Sequence, residues 1–446
     1  MNQIVAVLSA IFIIVSCTNE SAEPSVHGLP EDAGELESLL TSDIKEEAKL
    51  SVYNKLVDYY FDQDPDKAYG LLEEEKELAE KIDNHLETGK AAYNMALIHK
   101  KNLEYIGAVE HYLQAINAFE KIEDKERISI VLDNLGNVFA ETGNYDYAEK
   151  FFIKSRLLYS GIDKSEKLVI ANMNLGICKF SKSEPDYESA AKYFEESLHH
   201  TEKLSMQEQS YYLNRIYSQI GTMYYKNSSY KKAVTNYLLS LNYIDVTQHI
   251  QRSIAYANIG EVYLGEGLYK EAGEWISKAV DIAPKIDDSQ TVSGIYNIYA
   301  KLLQQMGRHE ESVNYLEKSI AQANTKIINE PLQESLGLIR QSYAALRQSD
   351  HEVSADQYEN ILLIDAEQDA LEDEMVSKLN YKALQAALGL SVELDHQRKE
   401  KQAEVKLNST YTYTIIGMIL LLIIGGYKLY KTGKKIYLIQ QVLNWD

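Results

Sequence analysis

The sequence predicts an all-α protein, a superhelical solenoid of hairpins about 40 residues long, followed by a long helix and one transmembrane helix. Three observations predict it. A large–small pair recurs at Met95-Ala96, Leu135-Gly136, Leu175-Gly176, Ile220-Gly221, Ile259-Gly260 and Tyr299-Ala300, at steps of 40, 40, 45, 39 and 40 residues. Such a period marks units that bury their apolar face on the next copy. Within a unit, Leu135 and Phe139 share one helical face, Gly143-Asn144 breaks the run, and Ala148, Phe152 and Ser155 continue on a second helix. Proline is scarce, 6 in 446 residues, which leaves long helices uninterrupted.

Residues 1–17 open with a charge-free apolar run, Ile4 to Val15, that ends in Ile14-Val15-Ser16-Cys17. This resembles a bacterial lipoprotein signal peptide with its lipobox. The resemblance implies cleavage before Cys17 and lipidation of its sulfur. One departure is that no Lys or Arg precedes the apolar run. An uncleaved anchor or an ordinary secretory signal is the alternative, and all three send the body of the chain out of the cytoplasm. Residues 18–43, acidic and Ser-rich with Pro24, Gly28, Pro30 and Gly34, read as a flexible tether. Its r.m.s. reach is about 25–30 Å.

Residues 44–365 hold the solenoid, seven to eight hairpins. A degenerate hairpin lies near Leu56 to Ile82 and a late one begins near Leu332. The small residues explain the packing. Gly136, Gly176, Gly221 and Gly260 remove side chains where helices cross closely. Ala108, Ala148, Ala233 and Ala272 come thirteen residues after each large position, with Ala190 in the same role after a two-residue insertion around Pro185. Tyr112, Phe152, Phe194, Tyr237 and Ile276 come four residues later as large knobs. Burying each is worth about 1.5–3 kcal/mol.

The stretch Asn134 to Ala148, with its Leu-Gly, aromatic, Gly-x-Tyr-x-x-Ala pattern, resembles the tetratricopeptide (TPR) repeat. Pro284 sits where that pattern often closes a repeat. The longer period resembles long-repeat TPR proteins such as kinesin light chain and bacterial peptide-sensing regulators. The resemblance places first helices on the concave side. There Asn94, Asn134, Asn174 and Asn258, with Gln219, stand immediately before the large–small pair. Ile298 breaks the row, although Asn297 lies beside it. Asn is a mediocre helix former, so the recurrence needs a reason. A carboxamide both donates and accepts, and so pairs with a peptide backbone without reading its sequence. In the resembling proteins such an asparagine ladder holds an extended peptide. The alternative is that these amides bridge neighbouring helices. Lys90, Lys100, Lys101, Arg215, Lys226 and Lys301 share the first helices but not the arrangement of a carboxylate clamp, and read as solvated charges.

The net charge of −22 argues against a nucleic-acid partner, which a basic surface would bind. No catalytic motif is present, so the chain reads as no enzyme, with no cofactor and no metal. Cys178, mid-helix, reads as a core thiol. His199 and His200 diverge by about 100° on a helix and make a poor metal pair.

Residues 366–407 carry an apolar stripe, Leu371, Met375, Leu379, Ala383, Ala387, Leu390 and Leu394, fitting an amphipathic helix. It reads as a cap on the last hairpin or as a stalk, which would offer a homodimer seam. Residues 408–427 are charge-free; with Leu407 they span about 31 Å as a helix, enough to cross a bilayer. Lys428, Lys431, Lys434 and Lys435 begin a basic tail, 428–446, that the positive-inside rule places in the cytoplasm. The expectation is a membrane-anchored envelope protein, inner-membrane bound with an extracytoplasmic body, binding a peptide or protein. It resembles the periplasmic input half of TPR-containing membrane sensors, with no output domain in the 19 residues after the span. The alternative is a static envelope scaffold or assembly factor.

Overall fold

A computed structural model describes residues 29–162, 164–322 and 330–348, with Glu359, Leu362, Leu363 and Ala366. Sixteen α-helices run through these residues, and among them there is no strand. The order is α1 (Ala33–Leu40), α2 (Glu46–Tyr60), α3 (Pro65–Lys81), α4 (His85–Lys101), α5 (Tyr105–Lys121), α6 (Lys125–Glu141), α7 (Tyr145–Ser160) and α8 (Ser165–Ser181). Then come α9 (Tyr187–Thr201), α10 (Met206–Lys226), α11 (Tyr230–Leu241), α12 (His249–Gly265), α13 (Tyr269–Ile282), α14 (Ser289–Gln305), α15 (His309–Gln322) and α16 (Glu330–Gln348).

Short polar residues start these helices. Asn84, Asp124, Asp186 and Asp288 each accept a hydrogen bond from the backbone N–H three residues on, satisfying a donor that the first turn leaves open. Ser205 and Glu208 form a reciprocal capping box at the start of α10. At seven connections between consecutive helices a single residue turns left-handed. Gly143, Gly267 and Gly307 do so at no steric cost, whereas Asp83, Leu103, Glu123 and Ser228 hold positive φ with a side chain attached.

Seven hairpins result, from α2/α3 to α14/α15, and each core runs on into the next unit. Val57, Ala68 and Leu72 of the first hairpin pack with Ala91, Met95 and Ile98 of α4. The same arrangement joins Ala257, Ile276 and Ile298 across α12, α13 and α14. No hairpin closes its core alone, which is the physical content of a solenoid. The expected knobs are there: Tyr112, Phe152, Phe194, Tyr237 and Ile276 are all buried. They fill the space the glycines vacate. A Cβ on Gly136 would meet the Phe152 ring at 2.5 Å, one on Gly176 the Phe194 ring at 2.9 Å, and one on Gly221 the Tyr237 ring at 2.8 Å. The degenerate early hairpin is α2/α3, and the late first helix is α16, with Leu332 buried. The chain closes α13 with a 3-10 turn over Ala283–Lys285, at Pro284.

One expectation changes. The span expected as a tether contains α1, capped by Asp32 and packed through Leu36, 1% exposed, onto Val52 and Leu56 of α2. Its acidic, Ser-containing sequence masks apolar residues at helical spacing. The expected signal peptide (1–17) with Cys17, the stalk or cap beyond Ala366, the transmembrane span 408–427 and the tail 428–446 lie outside the described residues. Among the described residues, no helix is long and apolar enough to cross a membrane.

Candidate functional site

First helices touch one another across hairpins: α8 meets α10, α12 meets α14, and α14 meets α16. Among the described residues, no pair of second helices makes a comparable contact. Closer spacing on one side of a stack means curvature toward that side, so the first helices form the inner face.

The carboxamide row lies on these helices, and its members differ in what they touch. Asn94 and Asn134 are half-buried. Asn134 donates through Nδ2 to the Tyr93 hydroxyl at 3.2 Å and to the Ile130 carbonyl at 3.0 Å. It therefore bridges α6 to α4, as the alternative reading expects. Gln219 and Asn258 are deeper, 8% and 7% exposed. Asn174 is 2% exposed, and neither its Nδ2 nor its Oδ1 has a hydrogen-bond partner among the described residues. The Oδ1 of Asn137, one turn on from Asn134, and the Nδ2 of Asn172 also lack partners there. Leaving a buried polar group unpaired costs about 1–3 kcal/mol. The three residues concerned fall on α6 and α8, neighbouring first helices.

Where the row breaks, the amide is satisfied internally. Asn297, fully buried, donates to the Pro331 carbonyl at 2.7 Å and to Glu334 Oε2 at 3.2 Å, and accepts from Ser335 Oγ at 2.7 Å. It ties α14 to α16 and leaves nothing for a ligand.

Lys90, Lys100 and Lys301 are not the solvated charges expected, whereas Lys101, 50% exposed beside Asp62 at 86%, is one. Their stems lie along the packed first helices, and their heads find acids. Lys90 pairs with Glu87 at 3.3 Å, Lys100 with Glu141 at 2.9 Å and Lys101 with Asp62 at 2.8 Å. Lys301 sits between Glu261 at 3.6 Å and Glu334 at 2.5 Å. Arg215 donates to the Tyr211 hydroxyl at 2.7 Å. Lys226 departs from this pattern.

Sequence reasoning missed two acids, Asp133 on α6, whose partners lie on the second helix α7, and Glu75 on the second helix α3. Asp133, next to Asn134, accepts from Ser155 Oγ at 2.5 Å and Tyr159 Oη at 2.9 Å. Burial pushes its carboxyl up to about 7 although both hydroxyls oppose the shift. Glu75 on α3 is raised to about 8, first by burial and then by the charge of Glu87. Aligning the repeats makes Asp133 visible as the lone acid at a position held elsewhere by Tyr93, Met173, Ser218, Ala257 and Asn297.

Cys178 is a core thiol; burial raises its pKa and keeps it protonated. Among the described residues, no three His, Cys, Asp or Glu side chains are grouped to hold a metal.

The tetratricopeptide-repeat family model matches residues 254–286 and 293–325, which span the last two full hairpins. A comparison with curated proteins gives no match. Among solved structures, the quorum sensor NprR from B. thuringiensis in its apo form is similar with a TM-score of 0.52 at 17% identity, over 74% of this chain and 91% of that one. A Rap protein complexed with Competence and Sporulation Factor is similar with a TM-score of 0.50 at 15% identity, over 77% and 92%. A tetratricopeptide repeat protein from Parabacteroides merdae is 15% identical over 65% and 98%, with a TM-score of 0.47. The fold is therefore a TPR-like all-helical solenoid.

Proposed function

We propose that this chain is a non-enzymatic TPR module that holds an extended peptide, or an extended segment of a protein, against the inner face of its first helices. The observation that carries the reading is Asn174, a buried carboxamide on that face with both polar atoms unbonded among the described residues. Native proteins satisfy most buried polar groups, so an orphan on a curved, layered surface points to a partner supplied from outside. Asn137, one turn on from Asn134 on the neighbouring first helix, adds a second unsatisfied amide oxygen. The folds similar to this one include a quorum sensor and a Rap protein complexed with Competence and Sporulation Factor, which supports a binding module.

The finer reading places this module in the bacterial envelope. Cys17 carries a lipid, residues 408–427 cross the inner membrane, and the basic tail lies in the cytoplasm. The module then acts as sensory input; the same face on a static scaffold would hold an assembly partner instead.

The test replaces Asn134 and Asn174 together with Ala in the full-length chain. Partners captured from the native envelope and the melting temperature are compared with those of the parent. Loss of a partner with only the small fall in melting temperature that losing the Asn134 bridge to Tyr93 brings is the expected result. A partner retained by the variant, or lost only in step with unfolding, would sink the groove. Asn174→Leu sharpens the test: it should remove binding while holding or raising the melting temperature, because it deletes an unpaired amide at similar volume.

A further inference from the structure

Lys226 ends α10, seven residues after Gln219 and so on the same helical face, two turns or about 10 Å further along the axis. Its ammonium lies 5.2 Å from the centroid of the Phe180 ring on α8, the adjacent first helix. It is half-buried, and among the described residues it has no carboxylate within ion-pair distance. Burial lowers its pKa with no anion opposing the shift. The chain has 67 Asp and Glu against 45 Lys and Arg, so acids are in excess. Lys90, Lys100, Lys101 and Lys301, on the same helix layer, all have acids beside them.

We infer that Lys226, held over the Phe180 ring, is a subsite for a carboxylate of the ligand. The inference rests on the groove reading and adds a charge requirement to it. A cation already paired with an internal acid gives up that partner to take another. Lys226 loses nothing except residual hydration, and a ring face beneath it keeps the ammonium oriented and partly desolvated. The gap of about 10 Å from the carboxamide row fits the combined reach of a Glu side chain and the lysine stem. The remaining field of the acidic body repels anions, so a carboxylate settles only where a local cation is unneutralised. Two sources supply this chemistry, an acidic side chain or the C-terminal carboxylate of a peptide.

The probe is a random peptide library, each member made with a free and an amidated C-terminus, selected on the full-length chain and on its Lys226→Met and Lys226→Arg variants. Enriched peptides should share an Asp or Glu at one position, or lose binding on amidation, and these two outcomes tell the sources apart. Lys226→Met should weaken their binding at least about tenfold without lowering the melting temperature, and Lys226→Arg should restore most of it. Peptides that bind through Asn174, carry no acid and bind Lys226→Met equally would overturn the subsite and leave the groove standing. A library that yields no binder would overturn the groove, and the subsite with it.

Discussion

At the scale of single residues, two carboxyls, the buried Glu75 and the half-buried Asp133, make stability depend on pH. Asp133 is held at about 7 and Glu75 at about 8, against ordinary values near 4. Between about pH 4 and 8 the folded chain keeps protons that the unfolded chain has released, so stability falls as pH rises through that window. Calorimetric melting from pH 5 to 8.5 should show this decline. Glu75→Gln with Asp133→Asn should flatten it, raising the melting temperature at pH 8.5 by several degrees and changing it little at pH 5. An unaltered profile in the double variant would rule these two groups out as the source. The Asn row was legible in the sequence because the repeat aligns it. Which amides are satisfied was not: the hydroxyl that engages Asn134 belongs to Tyr93, 41 residues earlier and in another hairpin. Nor did spacing show that Lys226, unlike Lys90, Lys100, Lys101 and Lys301, stands without an acid. That property belongs to three-dimensional neighbours rather than to a motif.

Among elements, the hairpin is set by one exchange of volume, a glycine on the first helix against a knob on the second. Gly176→Ala should therefore destabilise by about 1–3 kcal/mol, since its Cβ would press on the Phe194 ring at 2.9 Å in a filled core. Adding Phe194→Leu should recover part of the loss if the clash is the cause, because contacting residues couple in a double-mutant cycle. Losses that simply add would place the strain elsewhere. This exchange was readable from sequence, since both partners recur at fixed offsets. The helix α1 was not, because its composition is that of a linker and its apolar surface is only Ala33, Leu36 and a few partly buried neighbours. Composition averages over a segment, whereas packing needs only one buried face.

For the molecule as a stack, stability is a sum over units and their interfaces, so the ends matter more than they do in a globule. α1 covers Val52 and Leu56, the face that the first hairpin would otherwise show to water. Leu36→Asp should loosen α1 from that face. Hydrogen exchange is expected to quicken over α2 and α3 while α12 to α15 keep their protection; uniform acceleration along the chain would contradict a one-dimensional stack. The same cover has a consequence for growth. An open end of a repeat array is a template on which another array can dock head to tail, and such contacts do not close into a ring by necessity. α1 thus acts as a chain terminator, and losing it should appear first as concentration-dependent oligomers in sedimentation rather than as a lower melting temperature.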